Sequence, residues 1–175
     1  IQVSSAGLNA FTNGGNARVY GFESALSLQP VSGLTLAGTV SYNDGKITSV
    51  DPLAAASIGV GDPLPNNPKW SGSLSLDYRA PVSGKWQAVA GATAKFVGSR
   101  HSALRSSILN PDYILPGYSL FDLRAGLESD KVDIGLFVRN LTDKRAQLSA
   151  TTSAGINEIV VQRPRTIGAS VTFRY

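Results

Sequence analysis

The fold is decided by the stretch at residues 34–42, which reads LTLAGTVSY. Apolar side chains occupy positions 34, 36, 40 and 42, and threonine or serine occupies 35, 39 and 41. Successive side chains of a strand point to opposite faces, so this period of two predicts a β-strand with one apolar and one polar face. The uncharged segment 24–43 is long enough for a membrane helix, but Gln29 and Pro30 interrupt it.

The same alternation returns along most of the chain. It is found at residues 18–28, 70–78, 86–96, 121–127, 132–138 and 167–175, and more weakly at residues 1–10. We therefore predict about eight strands of about ten residues, the length that a tilted strand needs to cross a bilayer. Helical turns are expected only inside loops, at residues 52–60 and 101–110.

Short and long connections alternate between the predicted strands. The short ones are residues 29–33, 81–84 and 129–131, which carry the Pro, Gly, Ser and Asp of tight turns. The long ones are residues 49–68, 101–116 and about 142–163. All short turns then fall at one end of the sheet and all long loops at the other, as in outer-membrane barrels.

Composition supports a single domain whose surface is only partly in water. The chain has 175 residues, and charged residues make up 16% of it against a typical value of about 25%. The net charge is +4, but the basic residues are dispersed, so we expect no nucleic-acid partner. Cysteine is absent, which excludes disulfides, thiolate metal sites and cysteine nucleophiles.

Aromatic residues at the strand ends favour lipid on the apolar face. Such rings resemble the girdles found at membrane interfaces. They are Trp70, Tyr78, Trp86, Phe96, Phe173 and Tyr175. The alternatives are a soluble ligand-carrying barrel with its apolar face inside, and a small self-closed eight-stranded structural or adhesion barrel of the outer membrane.

Five stretches carry a resemblance to a known family. They read NARVYGFE (16–23), LPNNPKW (64–70), YSLFDLRAG (118–126), LFVRNLTDKR (136–145) and RPRTIG (163–168). Together they resemble the C-terminal barrel portion of TonB-dependent outer-membrane receptors. The resemblance implies an all-β, antiparallel transmembrane β-barrel of about 22 strands around a plug. Residues 1–175 would be the C-terminal portion of that barrel, with about eight strands, while the plug and the N-terminal strands lie upstream.

The resemblance also implies a function in the bacterial outer membrane. Such receptors import a scarce nutrient, and we expect a ferric siderophore, with cobalamin, saccharides and other metal chelates left open. The TonB complex would supply energy through the N-terminal region that this sequence lacks. Phe173 and Tyr175 resemble the signal that the barrel-assembly machinery recognises, although they could simply end a strand at an aromatic belt.

Ligand contacts are expected on the extracellular loops. The candidates are basic, aromatic or amide residues near the strand ends: Lys69, Arg100, His101, Arg105, Tyr113, Lys144, Arg145 and Gln147. Such groups suit an anionic ferric chelate, while the alternative is that the cations reach lipid head groups. The inward charges are expected to pair with one another or with the plug; they are Asp77, Arg79, Lys95, Asp122 and Arg124.

Catalysis is not expected. The single histidine, His101, has serines and Asp112 nearby in sequence, but no motif orders Ser102, Ser106 or Ser107 as a nucleophile. One histidine without cysteine offers too few ligands for a metal site. We therefore predict no enzyme activity, no cofactor and no resident metal.

Overall fold

The structure is a computed structural model that describes residues 2–5, 8–11, 13–52, 58–104, 112–153 and 156–175. The described residues form thirteen strands. These are β1 (Gln2–Ser5), β2 (Leu8–Phe11), β3 (Gly15–Val31), β4 (Leu34–Val50), β5 (Trp70–Ser83), β6 (Trp86–Val97), β7 (Arg100–His101), β8 (Ile114–Leu115), β9 (Tyr118–Glu128), β10 (Val132–Arg139), β11 (Gln147–Ser153), β12 (Ile156–Val161) and β13 (Thr166–Phe173). In this part of the chain, no helix has the length and apolar character needed to cross a membrane.

Seven strands form the main sheet, in the order β13-β10-β9-β6-β5-β4-β3. Every neighbouring pair is antiparallel. The other strands pair as three small hairpins, β1 with β2, β7 with β8 and β11 with β12. All three hairpins lie at the end of the sheet where the long loops are. The fold is therefore an antiparallel meander, as the period of two predicts.

The register aligns the apolar residues in rows across the whole sheet. One row runs through all seven strands: Leu28, Leu36, Leu76, Ala92, Leu123, Val138 and Ile167. A neighbouring row on the other face contains Asp77 and Arg124, which flank Gly91. The predicted division into an apolar and a polar face is thus confirmed.

The apolar face is open rather than packed into a core. Leu136 is 64% exposed and Ile167 is 74% exposed. The buried apolar side chains of the described residues lie instead among the long loops or at the strand ends beside them: Ile47, Ile58, Leu115, Ala146 and Ala150. A soluble barrel would bury its apolar face, so the structure does not support that alternative.

Aromatic residues mark both limits of the apolar face. Trp86 and Phe96 lie ten residues apart on that face of β6, which corresponds to about 33 Å along the strand and about 25 Å of height at a tilt of about 40°. That is the height of the apolar band of an outer-membrane barrel. At the long-loop end, the rings of Phe22, Tyr42 and Trp70 form a cluster with centroids 4.8–6.0 Å apart.

The main sheet does not close on itself. β3 and β13 are its two edges and are not paired with each other in the part of the chain that the structure describes. The self-closed eight-stranded barrel is therefore not observed. Unpaired backbone groups at an edge are costly in lipid, so both edges require further strands as partners.

Three local predictions need correction. The weak strand at residues 1–10 is two short strands, β1 and β2, outside the main sheet. The second and third long connections are not plain loops, because each contains a hairpin. β4 continues to Val50, two residues into the predicted connection 49–68, because it stays paired with β3 as far as Gly15. The proposed helical turns fall partly on residues 53–57 and 105–111, which lie outside the described residues.

Candidate functional site

The long loops are joined to one another by hydrogen bonds at one end of the sheet. We call them the first loop (residues 51–69), the second loop (98–117) and the third loop (140–165). Five of the predicted ligand residues lie where these loops meet: Lys69, Arg100, His101, Tyr113 and Gln147. The hairpin β7/β8 of the second loop is at the centre of this loop cluster.

Arg100 joins the second loop to the third. Only 7% of this residue is exposed. Its Nη2 donates hydrogen bonds to the carbonyl oxygens of Leu148 at 2.6 Å and Gln147 at 3.3 Å. The guanidinium also lies 5.7 Å from the ring centroid of Tyr118. In this geometry Arg100 holds two loops together through the carbonyls that Nη2 reaches and through the nearby ring. Its Nη1 is also buried and has no hydrogen-bond partner among the described residues.

Tyr113 provides a second link between the same loops. Its hydroxyl donates to Oε1 of Gln147 at 2.8 Å. Its backbone N–H donates to the hydroxyl of Ser102 at 3.2 Å, and its carbonyl accepts from the N–H of Ser102 at 2.9 Å. Tyr113 is thereby fixed against the beginning of its own loop while it reaches the third loop.

His101 joins the second loop to the first. Its carbonyl oxygen accepts a hydrogen bond from the N–H of Asn66 at 2.7 Å. Its side chain contacts the second loop itself, with Nδ1 of His101 against Oδ2 of Asp112. No group of three or more metal-ligating side chains occurs among the described residues. Ser106 and Ser107, weighed above as nucleophiles, lie outside them.

A cavity of about 380 Å³ lies beside the loop cluster. Its lining combines apolar surface from Pro63, Trp70 and Phe96 with polar and charged side chains: Asn43, Asp44, Asn67, Lys69, Arg100 and His101. Lys69 thus lies near two of the other predicted ligand residues. Its ammonium, however, is 3.6 Å from Oδ1 of Asp44, and Lys46 is 3.3 Å from Oδ2 of the same carboxylate.

Lys144 and Arg145 lie apart from these residues, in the turn after β10, and both are exposed. The turn is held by Asn140, which is only 2% exposed and has a φ of 51°. Its Oδ1 accepts from the N–H of Lys144 at 2.9 Å, and its Nδ2 donates to the carbonyls of Lys144 at 3.0 Å and Arg163 at 2.8 Å. Arg105 lies outside the described residues.

Asn140 and Asn66 are structural contributors that the sequence reasoning missed. Both have positive φ angles, 51° and 54°. Asparagine is enriched in that left-handed conformation, so Asn140, which directly follows an alternating stretch, was an available signal for such a turn. Asp143, three residues after Asn140, shares the feature with a φ of 51°.

Asp77 and Arg124 are the two of the five inward charges that pair with each other, and Lys95 has no ion pair among the described residues. Arg124 contacts Asp77, and Arg79 lies 3.4 Å from Glu128. Oδ1 of Asp122 accepts a hydrogen bond from the N–H of Asn140 at 2.8 Å. The polar face therefore carries charges of both signs, most of them paired, which suits a wet interior.

Comparison with known proteins identifies the family. Residues 1–141 match the family described as TonB dependent receptor-like, beta-barrel. The chain belongs to the TonB-dependent receptor family. This confirms the resemblance found in the sequence and gives the sheet its setting, because TonB-dependent receptors are β-barrels of the bacterial outer membrane.

Individual TonB-dependent receptors resemble the chain along most of its length. The metal-pseudopaline receptor CntO of Pseudomonas aeruginosa is 31% identical over 164 residues, which cover 92% of this chain and 21% of the receptor. The ferric yersiniabactin uptake receptor FyuA of Yersinia pestis superposes with a TM-score of 0.77 at 16% identity, covering 91% of this chain and 24% of that one. The copper transporter OprC superposes with a TM-score of 0.66 at 25% identity, covering 90% and 23%. The chain thus spans about a fifth of the curated relative that it matches.

Proposed function

We propose that this chain is the C-terminal part of the barrel of a receptor that imports a metal chelate across the outer membrane, with energy from TonB. A ferric siderophore is the leading ligand, and chelates of other metals are the alternative. Support comes from the relatives, whose names describe a metal-pseudopaline receptor, a ferric yersiniabactin receptor and a copper transporter. A transport role also leaves no need for a catalytic group.

The observation that carries the proposal is the joined loop cluster at one end of an outer-membrane sheet. Arg100, His101 and Tyr113 link three long loops into one polar surface. A ligand that arrives from outside meets this surface first, and cations at its margin would attract an anionic chelate.

Different residues have different proposed roles in ligand capture. Arg100, Tyr113 and Gln147 hold the loops in place, because Nη2 of Arg100 bonds to the backbone and the hydroxyl of Tyr113 bonds to the side chain of Gln147. His101 lines the cavity beside Lys69. The exposed cations Lys144 and Arg145 would attract the chelate, as would Arg105. None of these roles requires a resident metal.

An uptake experiment tests the function and the cations separately. Cells carrying the full-length receptor are given radiolabelled iron, copper or zinc chelates. Deletion of the receptor, or loss of TonB, should abolish uptake of one of them. Replacing Arg105, Lys144 and Arg145 together by glutamine should weaken that uptake roughly tenfold in apparent affinity.

The matched control replaces Lys85 and Lys131, two exposed cations at the short-turn end, by glutamine. This variant should take up the chelate normally. Uptake that persists without TonB would refute active transport, and unchanged affinity in the triple variant would remove those cations from the site.

Membrane assembly concerns a different part of the chain. We propose that Phe173 and Tyr175 are read by the barrel-assembly machinery, because β13 is an edge of the sheet and Phe173 is 69% exposed on its apolar face. Replacing both by alanine should reduce the amount of receptor in the outer membrane. The control is Tyr20→Ala, an exposed aromatic residue on the other edge strand. Equal losses in both variants would contradict a specific signal.

A further inference from the structure

A cluster of cations lies on the outer surface of the sheet, just beyond the aromatic rings at the long-loop end. Phe22, Tyr42 and Trp70 are direct neighbours across β3, β4 and β5. Two residues further toward the loops, Tyr20 pairs with Asp44, and two residues beyond these, Arg18 pairs with Lys46. The pairing is unbroken between these positions, so all of them share the apolar, outward face.

The inner side of the sheet at this height is occupied by the first loop. A Cβ placed on Gly45 would lie 2.7 Å from Nδ2 of Asn67 and 2.9 Å from a methyl carbon of Leu64. The side chain of Ile47 is only 8% exposed there. Asp44 and Lys46, which alternate with these two residues, therefore point away from the loop.

The cluster has more positive than negative charge. Lys46 and Lys69 share the single carboxylate of Asp44, at 3.3 and 3.6 Å. Arg18 is not among its partners: Nη1 of Arg18 donates to the hydroxyl of Tyr20 at 3.0 Å, and its guanidinium lies 5.7 Å from that ring. Three cations face one anion, and the side chains of Lys46 and Lys69 are 53% and 64% exposed.

Depth in the membrane places these cations at the level of phosphates. Aromatic rings of a girdle lie at the interface between acyl chains and head groups. Arg18 and Lys46 lie four residues beyond Phe22 and Tyr42 on their strands, which is about 13 Å along the strand and about 10 Å of height at a tilt of about 40°. Long basic side chains at that height present their charge among head groups.

We propose that Arg18, Lys46 and Lys69 form a binding site for the phosphate groups of a lipid head group in the leaflet that faces the long loops. The carboxylate of Asp44 contacts the ammonium groups of both Lys46 and Lys69, and the hydroxyl of Tyr20 accepts a hydrogen bond from the guanidinium of Arg18. The site requires the outer-membrane setting of the family but not the proposed transport. It also assigns Lys69 to lipid rather than to the chelate, although both lie at the same end of the sheet.

Lipid binding to the purified full-length receptor tests the proposal. Diphosphoryl lipid A, a lipid with a phosphorylated head group, is titrated into the receptor in a neutral detergent, and the bound lipid is counted by native mass spectrometry. Each of Arg18→Gln, Lys46→Gln and Lys69→Gln should weaken binding about fivefold, and the triple variant about a hundredfold. Asp44→Asn should strengthen binding about fivefold, because it removes the opposing charge.

Three controls show whether the lipid is held by these three cations. Lys85→Gln with Lys131→Gln, at the opposite end of the sheet, should leave lipid A binding unchanged. Phosphatidylcholine should bind equally to the wild type and the triple variant, and inorganic phosphate at the same ionic strength should not displace lipid A. Electrophoretic mobility with and without heating shows that each variant is a folded barrel.

Two results would overturn the proposal. One is unchanged lipid A affinity in the folded triple variant, and the other is displacement of the lipid by inorganic phosphate alone. Chelate uptake by the double variant Arg18→Gln with Lys46→Gln, which leaves Lys69 in place, should remain at least half of the wild-type level, so that failure of the lipid site and failure of the transport function are distinguishable.

Discussion

The guanidinium of Arg100 donates a hydrogen bond to the carbonyl oxygen of Leu148 at 2.6 Å, across 48 residues of chain. The same nitrogen also donates to the carbonyl of Gln147, whose side chain accepts from Tyr113. The neighbouring His101 accepts from Asn66 of the first loop. A two-residue strand, β7, therefore ties three long loops together, and a ligand that moved one of them would act on the others.

The first prediction concerns the hydrogen bonds by which Arg100 joins the second loop to the third. Arg100→Lys keeps the charge but loses the planar group that reaches two carbonyls and a ring, so the second and third loops should separate more readily. Loss of a buried charge-assisted hydrogen bond costs about 1.5–3 kcal/mol. Hydrogen exchange at the amides of residues 148–151 should accelerate at least roughly tenfold. The exposed Arg145→Lys is the control, and equal protection in both variants would contradict the bracing role.

The second prediction concerns the two faces of the sheet. Leu123 lies in the apolar row, 43% exposed, whereas Thr93 lies on the polar face and pairs with Asp122. Leu123→Arg should destabilise the folded barrel by about 2–4 kcal/mol, because it places a charge in the acyl chains. Thr93→Arg should be nearly neutral, since it meets a carboxylate in a wet interior. Urea unfolding of the receptor in lipid vesicles measures both variants, and a larger cost for Thr93→Arg would reverse our assignment of the faces.

The third prediction concerns a close contact between β10 and β13. The ring of Phe137 covers Gly168, where a Cβ would lie 2.4 Å from Cζ of the ring. Gly168→Ala should therefore displace the ring and cost about 1–3 kcal/mol. The double variant Gly168→Ala with Phe137→Leu should recover part of that loss.

Gly38→Ala is the matched control for Gly168, because the nearest atom to its added methyl group would be at 3.5 Å, an ordinary contact. It should leave the urea midpoint close to that of the wild type. If Gly38→Ala lowered the stability as much as Gly168→Ala, the cost at Gly168 would not come from contact with the ring of Phe137.

The fourth prediction concerns the turn after β10. Asn140→Ala removes three hydrogen bonds from a buried position and places alanine at a positive φ. It should destabilise the barrel by about 2–4 kcal/mol. Asn140→Gly tolerates the φ but still lacks the side chain, so it should be intermediate. If the glycine variant were as stable as the wild type, backbone conformation alone would account for this asparagine.

The main sheet could be predicted from the sequence because alternation is a local property. Residues 34–42 and 86–96 each show their period without reference to any other strand, since neighbouring side chains of one strand must point to opposite faces. The short turns could also be predicted, because Gly33 and Gly84 are the residue type that tolerates the positive φ angles found there. The five quoted stretches then identified the family that the comparison confirmed.

The loop cluster could not be predicted in the same way. β7 and β8 have two residues each, too few to show a period, and the contacts of Arg100 and Tyr113 lie 34 to 48 residues away in the chain. Which loops meet depends on the order of the strands beneath them. Sequence reasoning predicted Arg100 as a ligand residue at the mouth, and the structure places it buried between two loops.

The sequence by itself determined the strands, their two faces and the end at which the long loops lie, because each follows from spacing within about ten residues. Only the tertiary structure decided which side chains share a surface. Register across β3 and β4 placed Arg18 and Lys46 on the outer side beside Tyr20 and Asp44. An ion pair brings Lys69, which the sequence had grouped with His101 and Gln147, to the same carboxylate of Asp44. Cross-strand register is a relation between distant segments, and hydrogen bonding along the full length of the sheet fixes it.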